Sequence, residues 1–481
     1  MLKPSLFVFT NLLPFLCAPL LSAQAGNAPS SSASEDRSAE IRQLHQQLDR
    51  ISARLDALEA EEHRAVSSSA SDNRPPSGEA AASTTGSSSS ATPAVVAPEQ
   101  AVVTAEDAPT LTFFRGTTLN FGVDGYYGYN FNQPIGRVNL LRAYDVTSNS
   151  FNLNQANVMV ERLPTPENRV GGRIDLQFGQ ATETLQGSYA NEQRPQVWRN
   201  LFQAYGSYLA PVGSGLEIDF GKWSSSLGNE GNYTKDQVAY SRAYSFNYLP
   251  FYHMGLRANY NITPRVNVAY WLVNGANDTE DLNGFKSQGV LLTMKPASSL
   301  AWNVNYYFGQ EARDVQPTID PGLPTSPTQP GLPTTNISPA PNGREHIFDT
   351  YATWQATPRL AVIGEADYVL NRTVAEQQPG RVAIGGLTAR YALPRSWNVG
   401  GRAEYFDDRG GLFSGTTQAL KEATLVLDHT FAPGFLARAE YRRDWSNQRF
   451  FLSDTAGALK HAQTTATLGL VYWWGMKQGS W

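Results

Sequence analysis

From about Leu111 to Trp481, apolar and polar side chains alternate with a period of two in segment after segment. Leu119, Phe121, Val123, Tyr127 and Tyr129 fall on one side, and Asn120, Gly122, Asp124 and Asn130 on the other. Val170, Ile174, Leu176 and Phe178 oppose Arg173, Asp175 and Gln177, while Leu360, Val362, Ala366, Tyr368 and Leu370 oppose Glu365 and Asp367. Trp397, Val399, Ala403 and Tyr405 oppose Asn398, Arg402 and Glu404, and Phe435, Ala437, Ala439 and Tyr441 oppose Arg438, Glu440 and Arg442. Successive side chains of a strand point to opposite faces, so this period reads as β-strand.

The connections carry a second signal. Short turns near 164–168, 211–215, 262–265, 295–299, 356–359, 393–396 and 431–434 each contain a proline, which presets φ for a tight turn and cannot donate to a ladder. Between them lie longer polar stretches. Short and long connections in alternation are what antiparallel hairpins give when one end faces the outside. The pattern predicts about sixteen strands of roughly ten residues, long enough to cross a bilayer when tilted. An even count puts both chain ends on the short-turn side.

Alternation alone leaves open which face looks outward. The polar face carries many Arg, Glu, Asp and Asn side chains, too many for a packed core without heavy desolvation. Aromatics gather toward strand ends, as at Tyr126, Tyr127, Tyr129 and Phe131, at Tyr306, Tyr307 and Phe308, and at Tyr472, Trp473 and Trp474; such girdles mark lipid–water interfaces. A ring of about sixteen strands is too wide to fill with side chains, so its lumen holds water. The expected fold is therefore all-β, a transmembrane antiparallel β-barrel over 111–481, with a soluble periplasmic β protein as the competing reading.

The preceding residues divide into four parts. Residues 1–25 read as a secretory signal, with Lys3, an apolar core from Leu6 to Leu21 and the small-residue site Ala23-Gln24-Ala25. The chain's single cysteine, Cys17, falls inside it, so cysteine-based metal sites and disulfides are not expected in the mature chain. Residues 26–37 read as disordered. In 38–65, Ile41, Leu44, Leu48, Ile51, Leu55 and Leu58 follow a heptad seam, and Arg54 and Glu59 flank it as in a known trimer motif. The implied partner is a second and third copy of the chain; an ordinary amphipathic helix is the alternative. Residues 66–110 are rich in Ser, Ala, Thr and Pro and read as a linker. The formal net charge of -5 argues against a nucleic-acid partner.

Three stretches resemble a known family. They are Ser150-Phe151-Asn152-Leu153-Asn154-Gln155-Ala156-Asn157; Phe220-Gly221-Lys222-Trp223, followed by Leu227-Gly228-Asn229-Glu230; and Tyr240-Ser241-Arg242-Ala243-Tyr244, followed by Pro250, Met254-Gly255 and Val273-Asn274-Gly275. In that order they are similar to markers of the β-barrel porin-2 (OmpL-like) family, best over residues 118–285. A second resemblance, through the coiled coil before a barrel, is to phosphate-type (O/P) porins. The resemblance implies a bacterial outer-membrane barrel of porin type. The aromatic chain end, Trp481, stands where many such barrels have Phe.

The candidate pore-lining residues are Arg173, Asp175, Lys222, Arg257, Glu365, Asp367, Arg402, Glu404, Arg438, Glu440 and Arg442, with Arg242 a further base nearby. Opposed acids and bases across a lumen select solutes by charge and size; paired along the wall they only stiffen it. Asp278, Glu280 and Asp281 form an acidic loop, read as solvated before being read as a divalent-ion or lipopolysaccharide bridge. The loop 316–342, with Pro321-Gly322-Leu323-Pro324-Thr325 repeated from Pro330, is expected to cover the outside rather than narrow the pore. Neither an H-E-x-x-H nor a G-x-S-x-G pattern occurs, and His429 is followed by Thr430 and Phe431 rather than by a phospholipase-like stretch.

These features predict passive diffusion of small hydrophilic solutes, without metal, cofactor or catalysis, in contact with outer-membrane lipid and lipopolysaccharide. The N-terminal segment is expected in the periplasm and the assembly is expected to be a homotrimer. The alternative is a structural or surface-interaction barrel, an adhesin or anchor, with a plugged lumen.

Overall fold

The computed structural model describes residues 116–481 apart from 187–191, 193, 314, 318–336, 340–342, 373–377 and 478. The expected signal, coiled coil and linker, including the seam from Ile41 to Glu59, lie outside the described residues, as does the whole of the proline-rich repeat.

The strands are β1 (Thr117–Asn130), β2 (Ser150–Arg162), β3 (Val170–Phe178), β4 (Leu201–Ala210), β5 (Leu216–Ser224), β6 (Tyr252–Thr263), β7 (Val266–Val273), β8 (Ser287–Ala297), β9 (Leu300–Gly309), β10 (Val315–Pro317), β11 (Ile337–Pro339), β12 (Glu345–Gln355), β13 (Leu360–Asn371), β14 (Gly380–Ala392), β15 (Trp397–Asp408), β16 (Gln418–Ala432), β17 (Phe435–Ser446), β18 (Phe451–Leu452), β19 (Leu459–Lys460) and β20 (Ala462–Gly475). Sixteen of them close into one antiparallel ring, in which β9 pairs with β12, β17 with β20, and β20 with β1. The pairs β10–β11 and β18–β19 are small ribbons within the long connections.

The tight connections fall at the proline turns expected from sequence. In the turn at Pro433 and Gly434, Gly434 has φ +88° and a Cβ there would stand 2.2 Å from the Trp473 carbonyl oxygen, so only glycine fits. Inside β5, Gly221 has φ +140° and a Cβ would stand 2.2 Å from the Ala204 oxygen.

The two faces of the ring are inverted relative to a soluble protein. Val170, Phe220, Leu425 and Leu468 are exposed on the outside, at 65%, 62%, 66% and 52%. Arg438, Arg442, Asp444 and Asp428 are buried inside. Only hydrocarbon solvates such an outer face well, and only a closed ring leaves no strand edge unpaired in it. Aromatic belts ring both ends. Tyr127 packs on Phe151 (4.8 Å between centroids) and Tyr306 on Phe348 (4.9 Å) at the long-loop end. Phe121 stacks on Trp474 (5.5 Å) and Phe435 on Tyr472 (4.5 Å) at the short-turn end. The soluble reading does not survive this surface.

Candidate functional site

The connection between β5 and β6 turns inward, as does part of the β1–β2 connection, where Arg142 pairs with Asp444 of the inner wall. Residues 225–251, between β5 and β6, enter the ring and cross its lumen. At their centre Tyr240, Ser241, Arg242, Ala243 and Tyr244 are all buried, three of the five with bulky or charged side chains. This is the Tyr-Ser-Arg-Ala-Tyr stretch that carries the family resemblance, so the motif is lumen filling rather than wall.

The wall reaches in to hold it. The Glu440 carboxylate on β17 accepts the N–H groups of Tyr240 and Ser241 at 2.7 and 3.1 Å. On β15, Glu404 accepts those of Tyr244 and Ser245 at 2.6 and 2.8 Å. Arg402 joins Glu422 on β16 (2.7 Å) to Glu230 of the loop (2.6 Å) and donates to the Ser241 carbonyl at 2.9 Å. Arg438 grips Asp428 with two bonds, at 2.8 and 3.0 Å, and donates to the carbonyls of Thr234 and Ala239 at 3.1 and 3.0 Å. Arg442 pairs with Asp444 at 2.8 Å and donates to the Arg242 carbonyl at 2.5 Å. Arg173, paired with Glu161 and Asp175 at 3.1 and 2.9 Å, donates to the Tyr233 hydroxyl at 2.9 Å. Backbone groups of an irregular segment in a lumen need partners, and here charged side chains supply them.

Ten of the eleven residues expected on the wall thus share the inner parity of their strands. Arg173, Arg402, Glu404, Arg438, Glu440 and Arg442 are brought together by the inserted loop, with Asp175 bound to Arg173, and Glu365 accepts the Asn229 N–H at 3.3 Å. Arg257 lies midway along β6, paired with Asp219 at 2.8 Å and stacked over Trp223. Asp367 faces inward beside Glu365. Lys222 differs: it shares the parity of outward-facing Phe220, and its ammonium sits 3.8 Å from the Tyr252 ring centroid, beneath the neighbouring connections. The cover from Glu192 and Asn277, both bonded to the Tyr252 hydroxyl, accounts for the burial of an outward lysine. Arg242 lies in the loop, stacked over Tyr144 at 4.4 Å.

Residues missed from sequence are the loop's own. Tyr233, Tyr240 and Tyr244 hydrogen-bond to Asp175, Asp124 and Asp444, and burial raises all three phenols well above their ordinary values. The spacing of Tyr240, Tyr244 and Tyr248 at every fourth position was the available signal. Apolar residues join in: Trp223, Trp271 and Phe406 of the wall and Phe451 of the β18–β19 ribbon pack with Leu227, Tyr244 and Leu249 of the loop. At the opposite mouth the tail folds back, and Trp481 packs edge-on against Tyr233 (5.6 Å) with Lys235 4.6 Å above its ring. A cavity of about 360 Å³ lies between loop, tail and wall, lined by Arg173, Glu230, Tyr233, Gln237, Thr388 and Trp481. A second, of about 450 Å³, opens at the short-turn mouth beside Arg265, Lys295, Thr353 and Gln355.

In the expected acidic loop, Asp278 is buried rather than solvated, and burial, followed by repulsion from Glu311, Glu192 and Asp281, pushes its carboxyl up to about 10. Glu280 pairs with Arg194, and Asp281 with Lys286.

The sequence profile of a family described as "Putative beta-barrel porin-2, OmpL-like" matches residues 116–473, the whole ring but for its last two strand positions. The chain belongs to the porin-2 family. No curated protein matches it. Among solved structures, this porin-2 barrel is similar to the outer membrane channel DcaP of Acinetobacter baumannii (12% identity, TM-score 0.48, covering 74% of this chain and 97% of that one). It is also similar to an anion-selective porin from Comamonas acidovorans (10%, TM-score 0.47, 74% and 99%) and to OmpT of Vibrio cholerae (10%, TM-score 0.46, 75% and 98%). Membership makes the molecule a porin-type channel barrel of the bacterial outer membrane.

Proposed function

We propose that this porin-2 barrel passes small hydrophilic solutes by diffusion, and that the loop 225–251 sets what can pass. The observation that carries the reading is the loop's attachment: its backbone is held across the lumen by Glu404, Glu440, Arg402, Arg438 and Arg442. A restriction fixed by charge-assisted bonds from rigid strands keeps a constant width, which is what exclusion by size needs. In this reading the wall charges act mainly through the loop they hold. The exposed bases at the short-turn mouth, Arg265 and Lys295, then bias passage toward anions. The long loops face the outside and lipopolysaccharide, the short turns and the N-terminal segment face the periplasm, and the heptad seam from Ile41 to Leu58 joins three copies.

Single-channel conductance of the folded full chain in a planar bilayer under a salt gradient tests this. Stepwise openings with a reversal potential favouring anions support it, and openings in threes support the trimer. A second reading, a plugged structural barrel, is favoured by the apolar packing of Trp271, Phe406 and Phe451 with the loop. Folded, inserted protein that stayed electrically silent would replace the first reading by the second.

A further inference from the structure

Almost every inward carboxylate on the wall has an arginine or lysine partner or several backbone donors. Asp428 has Arg438, Asp444 has Arg142 and Arg442, Asp175 has Arg173, Asp219 has Arg257 and Glu161 has Arg173 and Lys477. Asp124 and Glu345 are isolated exceptions, met by Asn154 and Tyr240 and by Asn371; one patch departs from the pattern as a cluster. Asp349 on β12 and Asp367 and Glu365 on β13 offer carboxylate oxygens that all lie within 4.8 Å of one another. Among the described residues no basic side chain forms an ion pair with any of the three.

The patch is rigid by construction. Asp349 and Asp367 are direct cross-strand partners, and Glu365 lies two positions from Asp367 on the same face. Like charges directly opposite in a ladder repel, and burial strengthens the repulsion. Asp349 is partly satisfied by Asn305 at 2.5 Å and by the Gly228 N–H at 3.1 Å, and Glu365 by the Asn229 N–H at 3.3 Å. Asp367 is 5% exposed, and both its carboxylate oxygens are buried with no hydrogen-bond partner outside the three carboxyls. A buried carboxylate with neither oxygen met from outside the cluster, aimed at two others, is a ligand set in need of a positive charge.

We propose that Asp349, Glu365 and Asp367 form a calcium site on the inner wall. Each of the three carboxylates offers an oxygen to a common point, and calcium, with its flexible oxygen coordination, tolerates the mixed one- and two-oxygen binding that two neighbouring strands impose. Magnesium, which demands strict octahedral geometry and keeps its waters, fits such a dry patch less well. Because Asp349 and Glu365 also accept the backbone of Gly228 and Asn229, the bound ion fixes the point where the inserted loop meets this side of the wall. The inference is independent of whether the barrel conducts.

The full chain, refolded into detergent without lipopolysaccharide and stripped with chelator, is titrated with calcium by calorimetry, with terbium luminescence as a second reading. One saturable site per chain is expected, weakened at least tenfold in Asp367→Asn and in Glu365→Gln. Asp278→Asn should leave the affinity unchanged. The heat-modifiable migration of the barrel on gels reports folding, and the two site variants give independent tests should one misfold. Absence of binding by the wild type at millimolar calcium, or binding lost in Asp278→Asn but kept in Asp367→Asn, overturns the assignment; the first outcome would mean that the three carboxyls share protons instead.

Discussion

The Glu404 carboxylate accepts the backbone N–H of Tyr244 at 2.6 Å and, through its other oxygen, that of Ser245 at 2.8 Å. Glutamine offers one acceptor where the loop needs two and turns a donor toward the other N–H. Hydrogen bonds to a charged group contribute about 1.5–3 kcal/mol each, so Glu404→Gln should loosen the loop by roughly 2–3 kcal/mol. The expected signature is a larger or noisier single-channel conductance, with faster amide exchange at 240–245 and an intact barrel. Unchanged exchange would show that the carboxylate does not hold the loop.

The outer face can be tested at its middle. Leu425 is 66% exposed near the centre of β16. Arginine at the bilayer midplane of such a barrel costs ~2–4 kcal/mol. Leu425→Arg should lose about that much in reversible folding into lipid vesicles. A neutral result would mean that this face meets water or another protein copy.

Asp278 predicts a pH effect in the connection 274–286. Its carboxyl rises from 3.8 to about 10 on folding, so the folded loop binds more protons than the opened one across that window. Loop stability is therefore fullest below about pH 4 and falls as pH rises toward 10, by at most ~1.4 kcal/mol per unit. Asp278→Asn should flatten the dependence and slow amide exchange at alkaline pH. Hydrogen exchange at several pH values, corrected for intrinsic rates, checks both.

Trp481 joins the tail to the inserted loop through the Tyr233 ring, the Lys235 ammonium and an N–H donated to Asp236 at 3.0 Å. An aromatic pair contributes about 0.5–1.5 kcal/mol and a largely desolvated cation–π contact, as the buried Lys235 makes, about 2. Trp481→Ala should release the tail to proteases and raise conductance, while leaving barrel melting in place. A barrel that no longer folds would instead make the aromatic an assembly element.

The ring itself was legible from sequence because its physics is local. Each proline turn announces itself, and the parity of Trp397 against Arg402, or of Phe435 against Arg438, is fixed by pleat alone. The inserted loop was not legible. The tyrosines of 225–251 are visible in its composition, but where they dock is not, because its wall contacts come from strands far along the chain. The proline-rich stretch 316–342 was the one long connection weighed as a constriction, and set outside, because stiffness is visible in sequence and docking is not. Lys222 misled for a related reason: two covering connections decide whether an outward lysine meets lipid or is roofed over.

The inserted loop also imposes an order on assembly. Tyr240 meets Glu440 across 200 positions of the chain, and Tyr244 meets Glu404 across 160. During synthesis and export the loop therefore emerges long before the groups that will hold it. Contacts so distant in sequence form late, after the entropy of closing large loops has been met. The ring must then pass through a stage in which its wall is incomplete and its centre unobstructed. Whatever inserts it must either keep that opening sealed against the membrane or complete β20 and the loop in one concerted step, which sets a demand on the insertion machinery that the finished molecule no longer displays.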